Sequence, residues 1–350
     1  MLFKTANLSQ LGEFDEIIDV RTPSEFAEDH IPGALNFPVL NDEERARIGT
    51  MYKQVSSFDA KKAGAALVSR NIGMHLERDL ATRPKEWKPL LYCWRGGQRS
   101  GSMAHVLGQI GWRTGQLDGG YKAYRRHVLE ELQTLPAHFQ WRVVCGATGS
   151  GKSRLLQALH AAGAQVLDLE DLANHRGSLL GNLPDVPQPS QKFFESLVWS
   201  RLHSFDPALP VYAEAESKKI GKVRVPEALI EAMWQGQCIR IEATTPQRVR
   251  LLKEEYHHFL DDPDELGRKL AFLTELHGGE RIGRWREMAQ RGEWDALVSE
   301  LLEQHYDPAY AKSTLKHYPN FAQGLVLRPD NLEHEFMLKL AHKILAGKGN

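Results

Sequence analysis

Trp141 to Ser153 reads WRVVCGATGSGKS, and this stretch decides the fold of the half of the chain around it. Trp141 to Cys145 is an apolar run of strand length. The residues that follow, Gly146-Ala147-Thr148-Gly149-Ser150-Gly151-Lys152-Ser153, match GxxxxGK[ST] at every fixed position. Lys152 to Ala162 then reads as a helix. A strand that breaks into glycines and re-enters a helix turns successive backbone N–H groups inward, toward phosphate oxygens. Lys152 adds a point charge, and the Ser153 hydroxyl suits Mg²⁺. The expected anion-binding residues are Gly146, Thr148, Gly149, Ser150, Gly151, Lys152 and Ser153, with Ser153 as metal ligand.

Downstream, Gln165 to Leu169, Val211 to Ala215 and Cys238 to Ala243 are further strand candidates. Helical stretches separate them, notably Pro246 to Phe259 and Glu265 to Gln304. Alternation of this kind implies a parallel α/β sheet. The acidic partner of the glycine-rich loop is Asp168 or Glu170 in VLDLEDL, or Glu214 or Glu216 in VYAEAESKKIG. Each reads equally well as a solvated strand end. Arg281, Arg284 and Arg286 fit a basic lid over phosphate or an exposed helix face with ion pairs, the second slightly better.

Upstream, Glu16 to Val20 and Pro89 to Cys93 are short strands, and Ser100 to Ile110 and Lys122 to Leu132 are helix candidates. Pro136 breaks the helical pattern, which puts a boundary between residues 1–135 and 136–350, the latter ending in a helical region. Tyr92-Cys93-Trp94-Arg95-Gly96-Gly97-Gln98-Arg99-Ser100 places a thiol where a strand meets a helix N-terminus. Backbone N–H groups surround such a thiol, and Arg95 and Arg99 add positive charge. These surroundings lower a thiol pKa and hold an anion, which suits a nucleophilic thiolate. Gly96 and Gly97 let the loop curl. Cys93, Arg95, Gly96, Gly97 and Arg99 are the expected catalytic group.

The 350 residues are 42% hydrophobic and 25% charged, enough apolar material for two cores. With 44 Lys+Arg against 45 Asp+Glu, net charge gives no argument for nucleic acid, so any such contact rests on local patches. Three cysteines without a close pair argue against a disulfide framework. Cys145 and Cys238 lie in apolar runs and read as core. The fifteen histidines show no HxxH or HExxH spacing, so no zinc site is expected. The start, MLFKTANLSQLGEFDE, lacks a signal-peptide core, and no run nears the roughly 20 apolar residues of a membrane span. The expectation is a cytoplasmic protein with no membrane partner.

DVRTPSEFAEDHIPGALNFP and Leu117 to Arg126 (LDGGYKAYRR) resemble the opening and closing signatures of the rhodanese family. That resemblance implies sulfur or selenium carried at Cys93. The spacing Cys93-x5-Arg99 departs from many single-domain rhodaneses and matches the phosphate loop of cysteine phosphatases, which usually have His where this chain has Tyr92. The fold class expected is α/β: a rhodanese-like parallel-sheet domain followed by a P-loop NTPase-like parallel-sheet domain.

Taken together, YCWRGGQRSGSMA, GGYKAYRR, GATGSGKS, DLEDLANHRGS and VYAEAESKKIG resemble the tRNA 2-selenouridine synthase family over nearly the whole length. The resemblance implies a tRNA-modifying transferase that converts wobble 2-thiouridine to 2-selenouridine. Its implied co-substrates are selenophosphate and geranyl diphosphate, with S-geranylation as the first step and Mg²⁺ at the P-loop. It also implies two partners: tRNA carrying 2-thiouridine at the wobble position, and a selenophosphate-producing enzyme. Candidate tRNA contacts are Lys122, Arg125 and Arg126, then Lys218, Lys219, Lys222 and Arg224, with Trp94, Tyr121 and Tyr124 for stacking. The alternative is a rhodanese-fold cysteine phosphatase or sulfurtransferase fused to a small-molecule kinase-like P-loop domain.

Overall fold

The computed structural model describes residues 3–184 and 186–347. These form two compact units, one running to Glu131 and including Lys192–Ser200, the other comprising Leu132–Gln191 and Arg201 onward. The α-helix ahead of Pro136 ends at Thr134, so the proline does break the helical pattern where the sequence suggests. It sits in the first turn of a short 3₁₀ helix, Leu135–His138, where its missing N–H costs nothing.

In the first unit the strands are β1 (Lys4–Ala6), β2 (Glu16–Asp19), β3 (Leu35–Asn36), β4 (Pro89–Tyr92) and β5 (Gly115–Leu117). They pair in the order β1-β5-β4-β2-β3, every pair parallel. All four residues of β4 are buried, the unbroken apolar reading of a strand covered on both faces. The helices are α1 (Pro23–Glu28), α2 (Asp42–Gln54), α3 (Ser57–Arg78), α4 (Gln98–Ile110) and α5 (Gly120–Thr134). Ile18, Leu91, Met103 and Leu107 are completely buried in one cluster. Truncating such a Leu to Ala costs about 2–5 kcal/mol. β1, β3 and β5 span only two or three residues, too few for alternation to register in sequence.

The second unit opens with β6 (Trp141–Cys145), α6 (Lys152–Ala161), β7 (Gln165–Leu167) and α7 (Leu169–Leu172). Leu169, expected in a strand, instead starts α7 because Asp168 caps it. Then come α8 (Gln191–His203), β8 (Val211–Glu214), β9 (Lys219–Ile220), β10 (Val223–Arg224), α9 (Glu227–Trp234) and β11 (Gln237–Ile241). The helical region is α10 (Thr245–Glu255), α11 (His257–Asp261), α12 (Pro263–Leu270), α13 (Thr274–His277), α14 (Gly279–Gln290), α15 (Trp294–Leu301) and α16 (Asp307–His317). β12 (Leu325–Leu327) and α17 (His334–Leu345) complete it.

The main sheet has the order β12-β11-β6-β8-β7, all parallel, while β9 and β10 form a separate antiparallel hairpin. β6 is central, so the loop leaving it opens at the carboxyl edge, where such sheets bind ligands. Leu155, Leu156 and Leu159 of α6 share one core with Met337 and Ala341 of α17. The part of α8 that belongs to the first unit docks there through polar contacts. Ser196 Oγ donates to Asp29 at 2.8 Å, Lys192 pairs with Glu28 at 2.6 Å, and Arg125 pairs with Glu195.

Candidate active site

Cys93 follows the last residue of β4 and is buried. Its Sγ accepts hydrogen bonds from Gly97 N at 3.3 Å and Ser100 Oγ at 3.2 Å. Burial pushes the thiol up, but the Ser100 hydroxyl, the loop N–H groups and the Arg99 charge outweigh it and hold the pKa below its ordinary value. Gln116, on β5, clamps the loop from behind. Its Nε2 donates to Gly96 O (2.9 Å), Gly97 O (3.0 Å) and Ser100 Oγ (2.8 Å). Tyr121 N donates to Cys93 O at 2.8 Å and Lys122 N to Trp94 O at 3.0 Å, so the start of α5 closes the other side. Ser100 and Gln116 were not singled out in the sequence. Their polar character at a strand end and a helix start was the only signal.

The two glycines differ. Gly96 has φ +62° and lies where a Cβ would meet Leu117 O at 2.5 Å. Gly97 has φ −100° and open space around it, so the tight part of the curl falls on Gly96. Arg99 donates to Glu25 at 2.7 and 3.2 Å, pinning α1, while Arg95 is exposed. Three proposed tRNA contacts are also corrected. Tyr121 and Tyr124 are buried, with Tyr121 Oη donating to Asp29 at 2.7 Å, and Arg125 is bound to Glu195 and to Lys192 O. Trp94, Lys122 and Arg126 are exposed, as are Lys218, Lys219, Lys222 and Arg224 at the β9–β10 hairpin.

In the second unit Gly146 to Ser153 bridges β6 and α6 as expected. Gly149 (φ +76°) and Gly151 (φ +86°) take left-handed conformations, and a Cβ on Gly149 would meet Leu252 Cγ at 2.8 Å. Arg248, 6% exposed, braces the loop from outside. Its Nε donates to Thr148 O at 2.8 Å, and its terminal nitrogens hold Asp307 at 3.0 and 2.6 Å.

Of the four acidic candidates, three converge. Ser153 Oγ lies 3.4 Å from both Glu170 Oε2 and Glu214 Oε2, and oxygens of Glu170, Glu214 and Glu216 come within 4.8 Å of one another. Glu214, 1% exposed, is no solvated strand end, and its Oε1 has no partner. Burial and mutual repulsion push Glu170 and Glu214 well above the usual carboxylate range and Glu216 up to about 8, with Lys152 opposing. Asp168 caps α7 instead, accepting from Asp171 N at 2.9 Å. Clustered carboxylates with a hydroxyl make a hard-oxygen set of the kind Mg²⁺ takes.

These residues line a cleft of about 590 Å³. Thr148, Ser178, Leu252, Tyr256 and Tyr306 are shared between it and an adjoining slot walled by Phe259, Leu266, Trp294, Leu297 and Leu301. This slot holds about 60 Å³, almost entirely apolar-lined. Sequence reasoning missed it because its walls come from segments far apart in the chain. The spacing of Trp294, Leu297, Val298 and Leu301 was the one local trace. Arg281, Arg284 and Arg286 line neither cavity. Arg284 pairs with Glu300 at 2.6 Å while α14 buries Ile282, Trp285 and Met288, which bears out the exposed-face reading.

Comparison with known proteins agrees with both loops. Residues 4–127 match the rhodanese-like domain family, and residues 139–269 match the family described as the tRNA 2-selenouridine synthase AAA domain. A tRNA 2-selenouridine synthase of Hydrogenovibrio crunogenus is 33% identical over 321 residues, covering 84% of this chain and 88% of that one. The chain belongs to the tRNA 2-selenouridine synthase family. Two further synthases of the family, from Nitrosomonas europaea and a Sulfurovum species, are each 37% identical over 69% of this chain. The match spans 63% and 65% of their lengths.

Proposed function

We propose that the chain replaces the sulfur of a wobble 2-thiouridine in tRNA by selenium, in two steps that divide between the P-loop and Cys93. In the first, the thiocarbonyl sulfur attacks C1 of geranyl diphosphate, the C1–O bond breaks, and diphosphate leaves. The observation that carries this step is a P-loop cleft that shares the walls of Leu252, Tyr256 and Tyr306 with an adjoining apolar slot, a combination suited to a diphosphate head with a hydrocarbon tail. At its present volume the slot must widen by side-chain rotation to admit ten carbons.

Lys152 and the loop N–H groups stabilise the charge that grows on the departing diphosphate. Mg²⁺, held by Ser153 with Glu170, Glu214 and Glu216, would neutralise further charge there. Alkylation makes sulfur a leaving group. In the second step the selenium of selenophosphate bonds to the base carbon and the C–S bond breaks to release geranyl-thiolate; water then cleaves the P–Se bond, phosphate leaves, and selenium stays on the base. The Cys93 loop, with its inward N–H groups and Arg95, binds the phosphorylated donor. A phosphatase would need Arg99 on its substrate's phosphate, and the pairing with Glu25 speaks against that.

The test is nucleoside profiling by mass spectrometry of tRNA from cells lacking the protein. Loss of 2-selenouridine and of geranylated thiouridine is expected, and unchanged levels of both would overturn the reading.

A further inference from the structure

We propose that the tip of the α2–α3 hairpin is a contact surface for the tRNA, an inference that rests on the reading above that the substrate is tRNA. The hairpin starts beside the Cys93 loop. Asp42, first residue of α2, accepts hydrogen bonds from Ser24, next to the Glu25 that holds Arg99. From there the 13 residues of α2 rise about 20 Å, and α3 returns with Ala60, Gly64, Leu67 and Ile72 buried.

At the turn the pattern inverts. Tyr52, Val55 and Phe58 are 53, 78 and 71% exposed. Three exposed lysines, Lys53, Lys61 and Lys62, accompany them at the turn, with Lys62 also pairing with Asp59 at 3.3 Å, while Arg45 and Arg47 lie further back on α2 beside Glu43. Tyr52 lies seven residues after Arg45, on the same helix face, and Lys62 Nζ sits 5.8 Å over the Phe58 ring.

Rings beside cations are what unpaired bases and a phosphate backbone require, the first for stacking and the second for charge neutralisation. Lysine is depleted at the centres of protein–protein contacts, so three lysines among three exposed apolar side chains favour RNA over a protein partner. A chain of net charge −1 has no general attraction for nucleic acid, so a local patch must supply it.

The experiment measures affinity of the full chain for tRNA bearing 2-thiouridine, by fluorescence anisotropy across a salt series. Two variants are compared, Y52A/F58A and K53E/K61E/K62E. Both should bind at least tenfold more weakly. The charge variant should also show a shallower dependence on salt, and the aromatic variant should keep the wild-type slope. Alkylation of Cys93 by iodoacetamide should be unchanged in both, reporting an intact fold. Should one variant fail to fold, the other reads the surface independently. Wild-type affinity in a folded variant would overturn the inference while leaving the proposed function standing. Failure of the wild-type chain to bind this tRNA would overturn both.

Discussion

The Cys93 loop and the P-loop occupy equivalent places, each leaving a central parallel strand for a helix N-terminus, yet they are finished in opposite ways. Around Cys93 the polar groups already satisfy one another: Ser100 and Gly97 donate to sulfur, Gln116 holds the loop carbonyls, and Glu25 occupies Arg99. The P-loop instead gathers three carboxylates that repel one another around one lysine and one serine, with an oxygen of Glu214 and the Ser150 hydroxyl lacking partners. The first loop is organised in advance for a thiolate. The second is arranged so that ligands supply the missing charge balance.

That contrast can be broken from the P-loop side most forcefully. Lys152→Ala should lower geranyl transfer to 2-thiouridine tRNA about 10²–10³-fold, measured by mass spectrometry of single-turnover products, while leaving Cys93 alkylation untouched. Retained geranyl transfer would remove the P-loop from the reaction. The glycines sharpen the Cys93 side. Gly96→Ala should destabilise by about 1–3 kcal/mol, and Gly97→Ala by under about 0.5 kcal/mol, as read by chemical denaturation. Equal costs would mean that the loop geometry is wrongly assigned.

A further break concerns pH. Burial and the neighbouring Glu214 push Glu216 up to about 8 in the fold against 4.5 ordinarily. The folded chain therefore holds a proton that the unfolded chain has lost between these values. Its stabilising contribution is full below the ordinary pKa and is lost as pH rises through about 8. In chelator, Tm should fall by a few °C from pH 5 to 8, Mg²⁺ should restore it, and Glu216→Gln should make the profile shallower, with Glu170 and Glu214 keeping part of the slope. A modest effect on the thiol itself is expected from Ser100→Ala. Losing one hydrogen bond of about 1 kcal/mol should raise the Cys93 pKa and slow its alkylation at pH 7 severalfold.

Both loops were legible in the sequence because their chemistry is local: a strand, a glycine-rich turn and a helix within a dozen residues. The parallel sheets followed from the same alternation. What the sequence hid depends on contacts between distant segments. Gln116 reaches the Cys93 loop from β5, Arg248 braces Thr148 from α10, and Asp307 holds Arg248 from α16. Glu170, Glu214 and Glu216 were candidates by position, but only the pairing of β6 with β8, and β8 with β7, brings them together. Tyr121, Tyr124 and Arg125 misled for a related reason. Spacing on α5 does not reveal that Tyr121 reaches Asp29, or that Trp199 and Glu195 meet Tyr124 and Arg125.

The division of labour is tested most directly by Cys93→Ala. The purified chain is given 2-thiouridine tRNA, geranyl diphosphate and selenophosphate, and both products are quantified by mass spectrometry. The prediction is undiminished geranylated thiouridine and no 2-selenouridine. Loss of both products in a folded variant would contradict it.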